Sequence, residues 1–294
     1  MKYDAIVVGG GIAGITASAY LSRAGHKTLL IEKEPHCGGL VNSFTREGFT
    51  YDGGIRATES AGVLFPMLKQ LGLNVDFVKN NVTLGVEDRI MQVNSENNVQ
   101  QYQDLFTHFY PENAAEIEKI RKEIEKIMQH VDILYGIDNP VFLDPIKDLP
   151  YFITNVIPWV FRFLFTYRKI EALNEPVVDF LKRFTKNQSL IDVISQHFFE
   201  ETPAFFALSY LKLYMDYHYP KGGTGTLIKT LVNYIEEQGG TIQNNTLITG
   251  LDIDTKTLHD AEGNTYTYDE LVWAADLNAL YRFVDPAKLP SEKE

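Results

Sequence analysis

The sequence predicts an α/β fold in which a parallel sheet with flanking helices carries a mostly helical inserted domain. A buried strand at 3–8 leads through a glycine loop into a helix, and a second strand at 27–32 follows that helix. Strands and helices that alternate in this way form a βαβ unit with parallel strands. Similar strand and helix patterns return after Tyr219, whereas helical spacing dominates in between.

The first loop has the spacing G-x-G-x-x-G, formed by Gly9, Gly11 and Gly14. In this pattern the first glycine permits a tight turn, the second lets a pyrophosphate approach the backbone, and the third allows close packing of helix on strand. Glu32 ends the second strand about 20 residues later, where its carboxylate can accept hydrogen bonds from ribose hydroxyls. We therefore expect a Rossmann-like dinucleotide site. The alternative is a glycine turn in an ordinary βαβ unit.

Paired glycines after the second strand favour FAD over NAD as the dinucleotide. One pair stands at 38–39, and the other stands at 53–54, directly after Asp52. Such pairs suit a backbone that passes close to a cofactor extending away from the sheet. The single cysteine, Cys37, precedes the first pair. Because it has no partner cysteine, we expect it to pack in the interior, with a redox role as the alternative.

Segments at four places resemble the FAD-dependent phytoene desaturase and carotenoid isomerase-like flavoproteins, a branch of the flavin amine oxidase superfamily. They lie at 34–40, 48–56, 219–227 and 269–276. The resemblance implies that the chain re-enters the cofactor domain at Tyr219, just before a helix, and that 269–276 forms a cofactor-side strand and turn. At Leu40 the sequence departs from the wider superfamily, many members of which have an arginine there.

The motifs and the resemblance together define the expected FAD contacts. Relatives present an apolar residue to the adenine near 247–251, and Ile248 is our choice. The expected cofactor-binding residues are Gly9, Gly11, Ile12, Ala13, Gly14, Glu32, Lys33, Gly38, Gly39, Leu40, Asp52, Gly53, Gly54, Ile55, Ile248, Ala274 and Ala275. Arg56 and Glu59 are candidates for assisting the chemistry, because they follow the second glycine pair closely. Arg56 could steady a flavin carbonyl or a developing negative charge; the alternative is an ion pair.

The predicted FAD-binding domain is discontinuous. It comprises 1–80 and 219–294, and the substrate domain over 81–218 is inserted into it. The insert is expected to begin with a hairpin, with strands at 82–86 and 89–93, and to continue with helices that include 113–131 and 204–217. After the re-entry we expect a helix at 227–238, a strand at 241–243 and a hairpin with strands at 256–259 and 265–268.

Four aromatic residues mark one face of the helix predicted at 204–217. They are Phe206, Tyr210, Tyr214 and Tyr217. Such a stripe is typical of core packing, but it could also line an apolar substrate tunnel, because it leads directly into Tyr219. The resemblance implies a long polyene or isoprenoid substrate such as a carotenoid, with hydride transfer at flavin N5 in desaturation, saturation or redox-neutral isomerisation. A flavin amine oxidase and a truncated fragment without activity are the alternatives.

Composition argues against several other classes of function. A net charge of −12 and a pI near 5.1 disfavour a nucleic-acid partner, which would need clustered cations. One cysteine excludes an internal disulfide. The seven histidines show no H-E-x-x-H or other ligand spacing, so we expect no metal site. No serine stands in a nucleophile elbow, and the chemistry is therefore expected to be that of the cofactor.

The longest apolar stretch, at 151–165, is interrupted by Asn155, Pro158 and Arg162, so we do not expect it to span a bilayer. Continued to 169, it mixes aromatic and basic residues. Contact with a membrane surface and packing inside the substrate domain are both compatible with that pattern.

The two ends of the sequence lead to predictions about location and about chain length. No signal peptide precedes the first strand, which makes the cytoplasm the expected location. Members of the resembled family continue past residue 294, and the tail at 285–294 is polar and interrupted by prolines. We expect either a truncated chain or a naturally short relative. A truncated chain would expose apolar surface and would tend to self-associate.

Overall fold

A computed structural model describes residues 2–93, 97–196 and 198–284. Its strands are β1 (Lys2–Val8), β2 (Thr28–Ile31), β3 (Ser43–Arg46), β4 (Phe49–Asp52), β5 (Phe77–Lys79), β6 (Val82–Val86), β7 (Arg89–Val93), β8 (His218–Pro220), β9 (Thr241–Gln243), β10 (Ile248–Asp252), β11 (Thr257–Asp260) and β12 (Thr265–Trp273). Its α-helices are α1 (Ile12–Arg23), α2 (Leu64–Leu71), α3 (Asn98–Phe109), α4 (Ala114–Tyr135), α5 (Leu149–Tyr151), α6 (Ile157–Glu171), α7 (Val177–Lys182), α8 (Gln188–Ser195), α9 (Ala204–Met215), α10 (Gly225–Glu237) and α11 (Leu277–Phe283). Helical turns of other types lie at Gly39–Val41, Pro111–Asn113, Pro140–Phe142 and Phe152–Val156.

The chain divides into two units. The first contains the described residues of Met1–Arg56, Val75–Phe77 and Tyr219–Glu294, and the second contains those of Ala57–Asn74 and Val78–His218. Tyr219 is also the residue at which the sequence places the re-entry into the cofactor domain.

The first boundary differs from the predicted one near residue 80, because the stretch 57–74 lies in the second unit. Helix α2 packs there against the turn at Pro140–Phe142. The backbone N–H of Asn139 donates to the carbonyl of Gly62, and the N–H of Thr58 donates to the carbonyl of His218. These contacts hold 57–74 to the helical unit. They join residues far apart in the sequence, so no local sequence pattern predicts them.

The main sheet of the first unit has, among the described residues, six strands in the order β10-β11-β12-β1-β2-β9. Strands β12, β1, β2 and β9 run parallel, whereas β10, β11 and β12 pair in antiparallel fashion. The register places Val8 between Trp273 and Ile31, so the carboxyl ends of β12, β1 and β2 meet at one edge. The predicted α/β fold is therefore confirmed.

The first unit forms around a short run of fully buried apolar residues. Ile6, Leu29 and Ile31 of the central strands are each at most 1% exposed. Helices α1 and α10 pack against each other, and the buried small residues of α1, such as Ala19, allow this close contact. The predicted hairpin near 256–268 is present as β11 and β12. Its second strand continues to Trp273, so the strand predicted from 269 is the end of β12.

The second unit is mainly helical and has its own core. Helix α4 extends four residues beyond its predicted end at 131. Its buried residues are those that the sequence spacing selects: Ile117, Ile120, Ile124, Ile127 and Val131. The four isoleucines pack with apolar residues of α7, α8 and α9 in one cluster. The predicted hairpin is also confirmed, with β6 and β7 antiparallel and Val86 opposite Arg89.

The apolar stretch from Leu149 to Glu171 forms a continuous helical segment of α5, the turn at Phe152–Val156, and α6. One face of α6 packs against α4, but several large apolar side chains on another face are exposed. The segment is therefore only partly packed inside the unit. Within the described residues, no helix is both long enough and apolar enough to cross a membrane. The predicted polar tail at 285–294 lies outside the described residues.

Candidate cofactor site

The G-x-G-x-x-G loop connects the end of β1 to the start of α1. Gly11 is the N-cap residue of α1, with φ −70° and ψ 174°. Among the described residues, no side chain caps this N-terminus, and no acidic residue stands in its first turn. The first backbone N–H groups of a helix lack intrahelical acceptors and carry a partial positive charge. Ile12 and Ala13, both expected to contact the cofactor, are the first two residues of α1. Their end of the helix is therefore suited to an anion such as a pyrophosphate.

The surroundings of the three motif glycines separate their roles. A Cβ on Gly9 would lie 2.8 Å from the backbone of Ala274, and a Cβ on Gly14 would lie 1.9 Å from the carbonyl oxygen of Gly9. A Cβ on Gly11 would meet no described atom within 4 Å. Gly9 and Gly14 are thus needed for packing, whereas the space beside Gly11 is open. This is the arrangement that a pyrophosphate on the loop requires.

Glu32 lies at the end of β2 and is only 8% exposed. Its Oε2 accepts a hydrogen bond from the N–H of Gly10 at 2.5 Å, and its Oε1 accepts one from the N–H of Glu34 at 2.9 Å. Each carboxylate oxygen has a second acceptor position, so the side chain can hold the glycine loop and still accept from ribose hydroxyls. Lys33, also expected to contact the cofactor, forms a solvent-exposed ion pair with Glu34, and its cofactor contact stays a prediction.

The first glycine pair lies directly against this loop. The N–H of Gly38 donates to the carbonyl of Gly10 at 2.7 Å, and a Cβ on Gly39 would approach the Cα of Gly11 to 3.3 Å. Leu40, where the wider superfamily often has an arginine, is largely exposed. Its backbone nevertheless continues the contact, because its carbonyl accepts from the N–H of Ile55 at 3.0 Å.

The second glycine pair closes the base of the hairpin formed by β3 and β4. The N–H of Gly53 donates to the carbonyl of Asn42 at 2.7 Å. A Cβ on Gly54 would lie 2.6 Å from the carbonyl oxygen of Leu40. The second glycine pair therefore packs against Leu40 and Asn42, the residues that follow the first pair.

Asp52 connects this hairpin to the segment that begins at Tyr219. Its Oδ1 accepts from the N–H and the hydroxyl of Thr224, both at 2.9 Å, and from the hydroxyl of Ser43 at 3.2 Å. Its Oδ2 accepts from the hydroxyl of Tyr219 at 2.7 Å. Burial alone would raise the pKa of Asp52, but these hydrogen bonds outweigh it and hold the pKa below its ordinary value.

Ser43 and Thr224 belong to this hydrogen-bonded cluster, and the sequence analysis did not select them. The hydroxyl of Ser43 also accepts from the N–H of Gly225, the first residue of α10, at 2.9 Å. Thr224 is fully buried. Both residues stand within or beside quoted motifs. Their pairing with Asp52 joins residues up to 172 positions apart, and only the fold shows it.

The remaining expected contacts fall into two groups. Ala274 and Ala275 lie beside the glycine loop, because the N–H of Ala274 donates to the carbonyl of Val8 next to Gly9; their contact with the cofactor stays a prediction. Ile248 is 6% exposed and packs in the apolar core of the sheet, so its side chain stabilises the domain. This leaves an adenine contact by its side chain as a prediction.

Cys37 is a buried free thiol next to the first glycine pair. Its Sγ lies 3.4 Å from the side-chain oxygen of Asn244. Burial, and secondly the Glu32 carboxylate, raise the pKa of the thiol to about 11. A thiol in this state is mostly protonated near neutral pH, in agreement with a packing role.

The two candidates for assisting the chemistry lie in different units. Arg56 is the last residue of its segment in the first unit, whereas Glu59 belongs to the second. Glu59 lines a cavity of about 340 Å³ together with Asp132, Lys212 and Asp216. Burial and the nearby Asp216 carboxylate raise the pKa of Glu59.

The predicted aromatic stripe of the second unit forms a continuous row along α9 and just beyond it, because α9 ends at Met215 and not at the predicted Tyr217. Phe206 contacts Tyr210, Tyr210 contacts Tyr214, and Tyr214 contacts Tyr217, each edge to face with ring centroids 5.2–5.4 Å apart. Burial is the first cause that raises the pKa of Tyr214 and of Tyr217. These phenols are therefore neutral, and the row presents a partly exposed aromatic surface without charge.

The first unit has the features of a dinucleotide-cofactor protein: a Rossmann-like sheet, an open glycine loop at a helix N-terminus, and a buried carboxylate at the end of the next strand. A family model described as flavin containing amine oxidoreductase matches residues 12–294, so the chain belongs to that family. The resemblance stated from the sequence is thereby confirmed, and the class of cofactor is a flavin.

Three similar proteins define the context. An all-trans-retinol 13,14-reductase of Danio rerio is 26% identical over 259 residues, which cover 81% of this chain and 40% of that protein. A chloroplastic prolycopene isomerase of Daucus carota is 24% identical over 268 residues, or 82% and 40% of the two chains. The chain thus spans about 40% of the length of these relatives. A solved oxidoreductase of Methanosarcina mazei, 16% identical, shares the fold with a TM-score of 0.63 over 100% of this chain and 63% of its own.

Proposed function

We propose that this chain binds FAD and belongs to an oxidoreductase or isomerase that acts on a long apolar polyene. The observation that carries the proposal is the open space beside Gly11 at the N-terminus of α1, with the first glycine pair packed against the same loop. Family membership assigns a flavin, and a loop shaped for a pyrophosphate favours the dinucleotide form, FAD. The names of two relatives refer to a retinoid and a carotenoid, both conjugated polyenes.

The residues of the first unit divide the task of holding FAD. The N-terminus of α1 would bind the pyrophosphate beside Gly11, and Glu32 would accept from the ribose hydroxyls. The backbone at 38–39 and 53–54 would pass along the cofactor, as paired glycines allow. Asp52 acts as a positioning residue, because its carboxylate fixes the second pair to the start of α10. A bound flavin supplies hydride acceptance or donation at N5.

The aromatic row on α9 supports an apolar substrate. Tyr214 and Tyr217 have raised pKa values and present neutral phenols, and aromatic surfaces of this kind bind extended apolar chains with few polar contacts. Arg56 would steady a flavin carbonyl or a developing negative charge. Desaturation, saturation and redox-neutral isomerisation all place one carbon–carbon unit of the chain against the cofactor, so the proposal includes all three.

The test has two stages. Purified, desalted chain is incubated with FAD and desalted again; its visible spectrum is recorded, and the released cofactor is identified by mass. We expect a flavin spectrum and FAD. Protein that stays colourless after incubation overturns the cofactor assignment for this chain.

In the second stage, the loaded protein is assayed with a carotenoid, a retinoid and a primary amine, each under oxidising and reducing conditions. Conversion of a polyene supports the proposal. Oxidation of the amine alone would replace it by the flavin amine oxidase alternative. FAD binding without any turnover would identify the chain as the cofactor-binding part of a longer enzyme and refute activity of the chain itself.

A further inference from the structure

The helical segment from Leu149 to Glu171 has two apolar faces, and only one of them is packed. Val156 and Thr166 are buried, and between them Trp159 and Phe163 are half-buried, at three- and four-residue spacing. The indole N–H of Trp159 donates to the carbonyl of Ile133 in α4. This first face therefore accounts for the attachment of α6 to the second unit.

The other face is a continuous apolar stripe without a cover among the described residues. It consists of Ile153, Ile157, Val160, Phe161, Leu164 and Phe165, whose side chains are 40–76% exposed. Their spacing, i, i+4, i+7, i+8, i+11 and i+12, places them on one side of a helix. Exposed apolar groups are common singly, but a contiguous stripe of this kind marks a binding surface.

The charge of this segment is opposite to that of the whole chain. Between Leu149 and Glu171 there are three cations and one acidic residue, Glu171 at the end, whereas the chain has 39 acidic and 27 basic residues. The cations are Arg162, Arg168 and Lys169, all exposed. Two of them stand in the last turn of α6. Basic residues beside exposed phenylalanine and leucine are the composition of helices that lie in the interface of an anionic membrane.

We propose that the exposed face of α6 docks onto the surface of a bilayer that contains anionic lipids. The stripe would enter the boundary between headgroups and acyl chains, and the three cations would contact lipid phosphates. The 15 residues of α6 measure about 22 Å. Because the stripe runs along most of this length, the helix would lie along the membrane surface. A symmetric dimer through the same face would offer the three cations only Glu171 of this segment as an acidic partner, whereas an anionic membrane supplies a phosphate for each. This inference is independent of the proposed function.

The experiment is cosedimentation of the 294-residue chain with vesicles of phosphatidylcholine, with and without phosphatidylglycerol. We expect binding to the anionic vesicles. It should weaken severalfold when salt is raised from about 0.1 M to about 1 M, where the Debye length falls from about 10 Å to about 3 Å. The double variant Phe161→Ser/Phe165→Ser should bind at least about tenfold more weakly, because two of the most exposed apolar groups are lost.

A matched control is Ile90→Ser/Phe199→Ser, which removes side chains that are 72% and 90% exposed outside the stripe. It should bind vesicles like the unchanged chain. Because all four side chains are exposed, both double variants should melt within a few degrees of the parent. Absence of vesicle binding, or equal binding by the stripe variant, overturns the proposal. Self-association that only the stripe variant abolishes, without vesicle binding, would assign the face to a protein interface instead.

Discussion

Alanine at Gly11 and alanine at Gly14 should have opposite effects on FAD affinity and on stability. Gly11 has backbone angles that alanine adopts readily, and its Cβ would meet no described atom within 4 Å. Gly14 would place its Cβ 1.9 Å from the carbonyl oxygen of Gly9, a backbone atom that cannot rotate away. The first substitution therefore tests the space left for the cofactor, and the second tests the packing of the fold.

The expected changes in free energy distinguish the effect on stability from the effect on FAD affinity. For Gly11→Ala, reduced freedom of the unfolded chain contributes about 0.4–1 kcal/mol of stability, and replacing glycine by alanine at an N-cap costs about as much. The net change in the free energy of unfolding should therefore lie within about 1 kcal/mol of zero. For Gly14→Ala, the overlap should cost about 1–3 kcal/mol or more. A methyl group between the loop and a pyrophosphate should weaken FAD binding by at least about 1.4 kcal/mol, or tenfold.

Two measurements on the same samples check this. Circular dichroism at rising temperature reports the stability of the protein without FAD, and quenching of flavin fluorescence reports the affinity. Gly85→Ala is a matched control, because its Cβ would approach no described atom closer than 3.9 Å and it lies in the hairpin of the second unit. Unchanged FAD affinity in Gly11→Ala would refute the placement of the pyrophosphate. A loss of stability in Gly11→Ala equal to that in Gly14→Ala would refute the steric argument.

Three further predictions follow from single side chains. Asp52→Asn should lower stability at neutral pH by about 1–3 kcal/mol, since hydrogen bonds to a charged acceptor are lost. Because the pKa of Asp52 is lowered in the fold, its contribution is present above the ordinary aspartate pKa and disappears as the pH falls through the lowered one; melting curves of the two proteins should converge in acid. Cys37 should react with iodoacetamide slowly at pH 8 and about tenfold faster per pH unit up to its pKa of about 11, and fast reaction at pH 8 would contradict its burial. Arg56→Met should slow turnover of a loaded enzyme without lowering its flavin content, and unchanged turnover would discard the proposed role.

The sequence predicted those features whose physical cause is local. The loop at Gly9 and Gly14 is recognisable because steric limits on a tight turn and on close helix packing act within a few residues. The buried face of α4 was predicted residue by residue, since an amphipathic helix repeats its apolar positions at a fixed interval. The hairpin of β6 and β7 was also predicted from a local pattern, namely turn residues between two strands in which apolar and polar residues alternate.

Features that depend on distant partners were not predicted. Asp52 was expected to contact the cofactor, and its four hydrogen bonds with Ser43, Tyr219 and Thr224 were not foreseen. Residues 57–74 were assigned to the wrong unit, because what attaches them is a set of backbone hydrogen bonds to Asn139 and His218. An apolar helix such as α6 gives the same pattern in a core and at a surface, so its exposed face also required the structure.

The topology explains why the two ends of the first unit contribute to one loop. Strand β1 lies between β2 and β12, so Gly9 at its end contacts both the chain after β2 and Ala274 after β12. The carbonyl of Ile31 accepts from the N–H of Gly9, and the carbonyl of Val8 accepts from that of Ala274. A fragment limited to the first 56 residues would hold the complete glycine motif but lack the wall at Ala274 that fixes its shape. The motif therefore marks the site, whereas the cofactor-binding geometry depends on the segment that returns after the inserted unit.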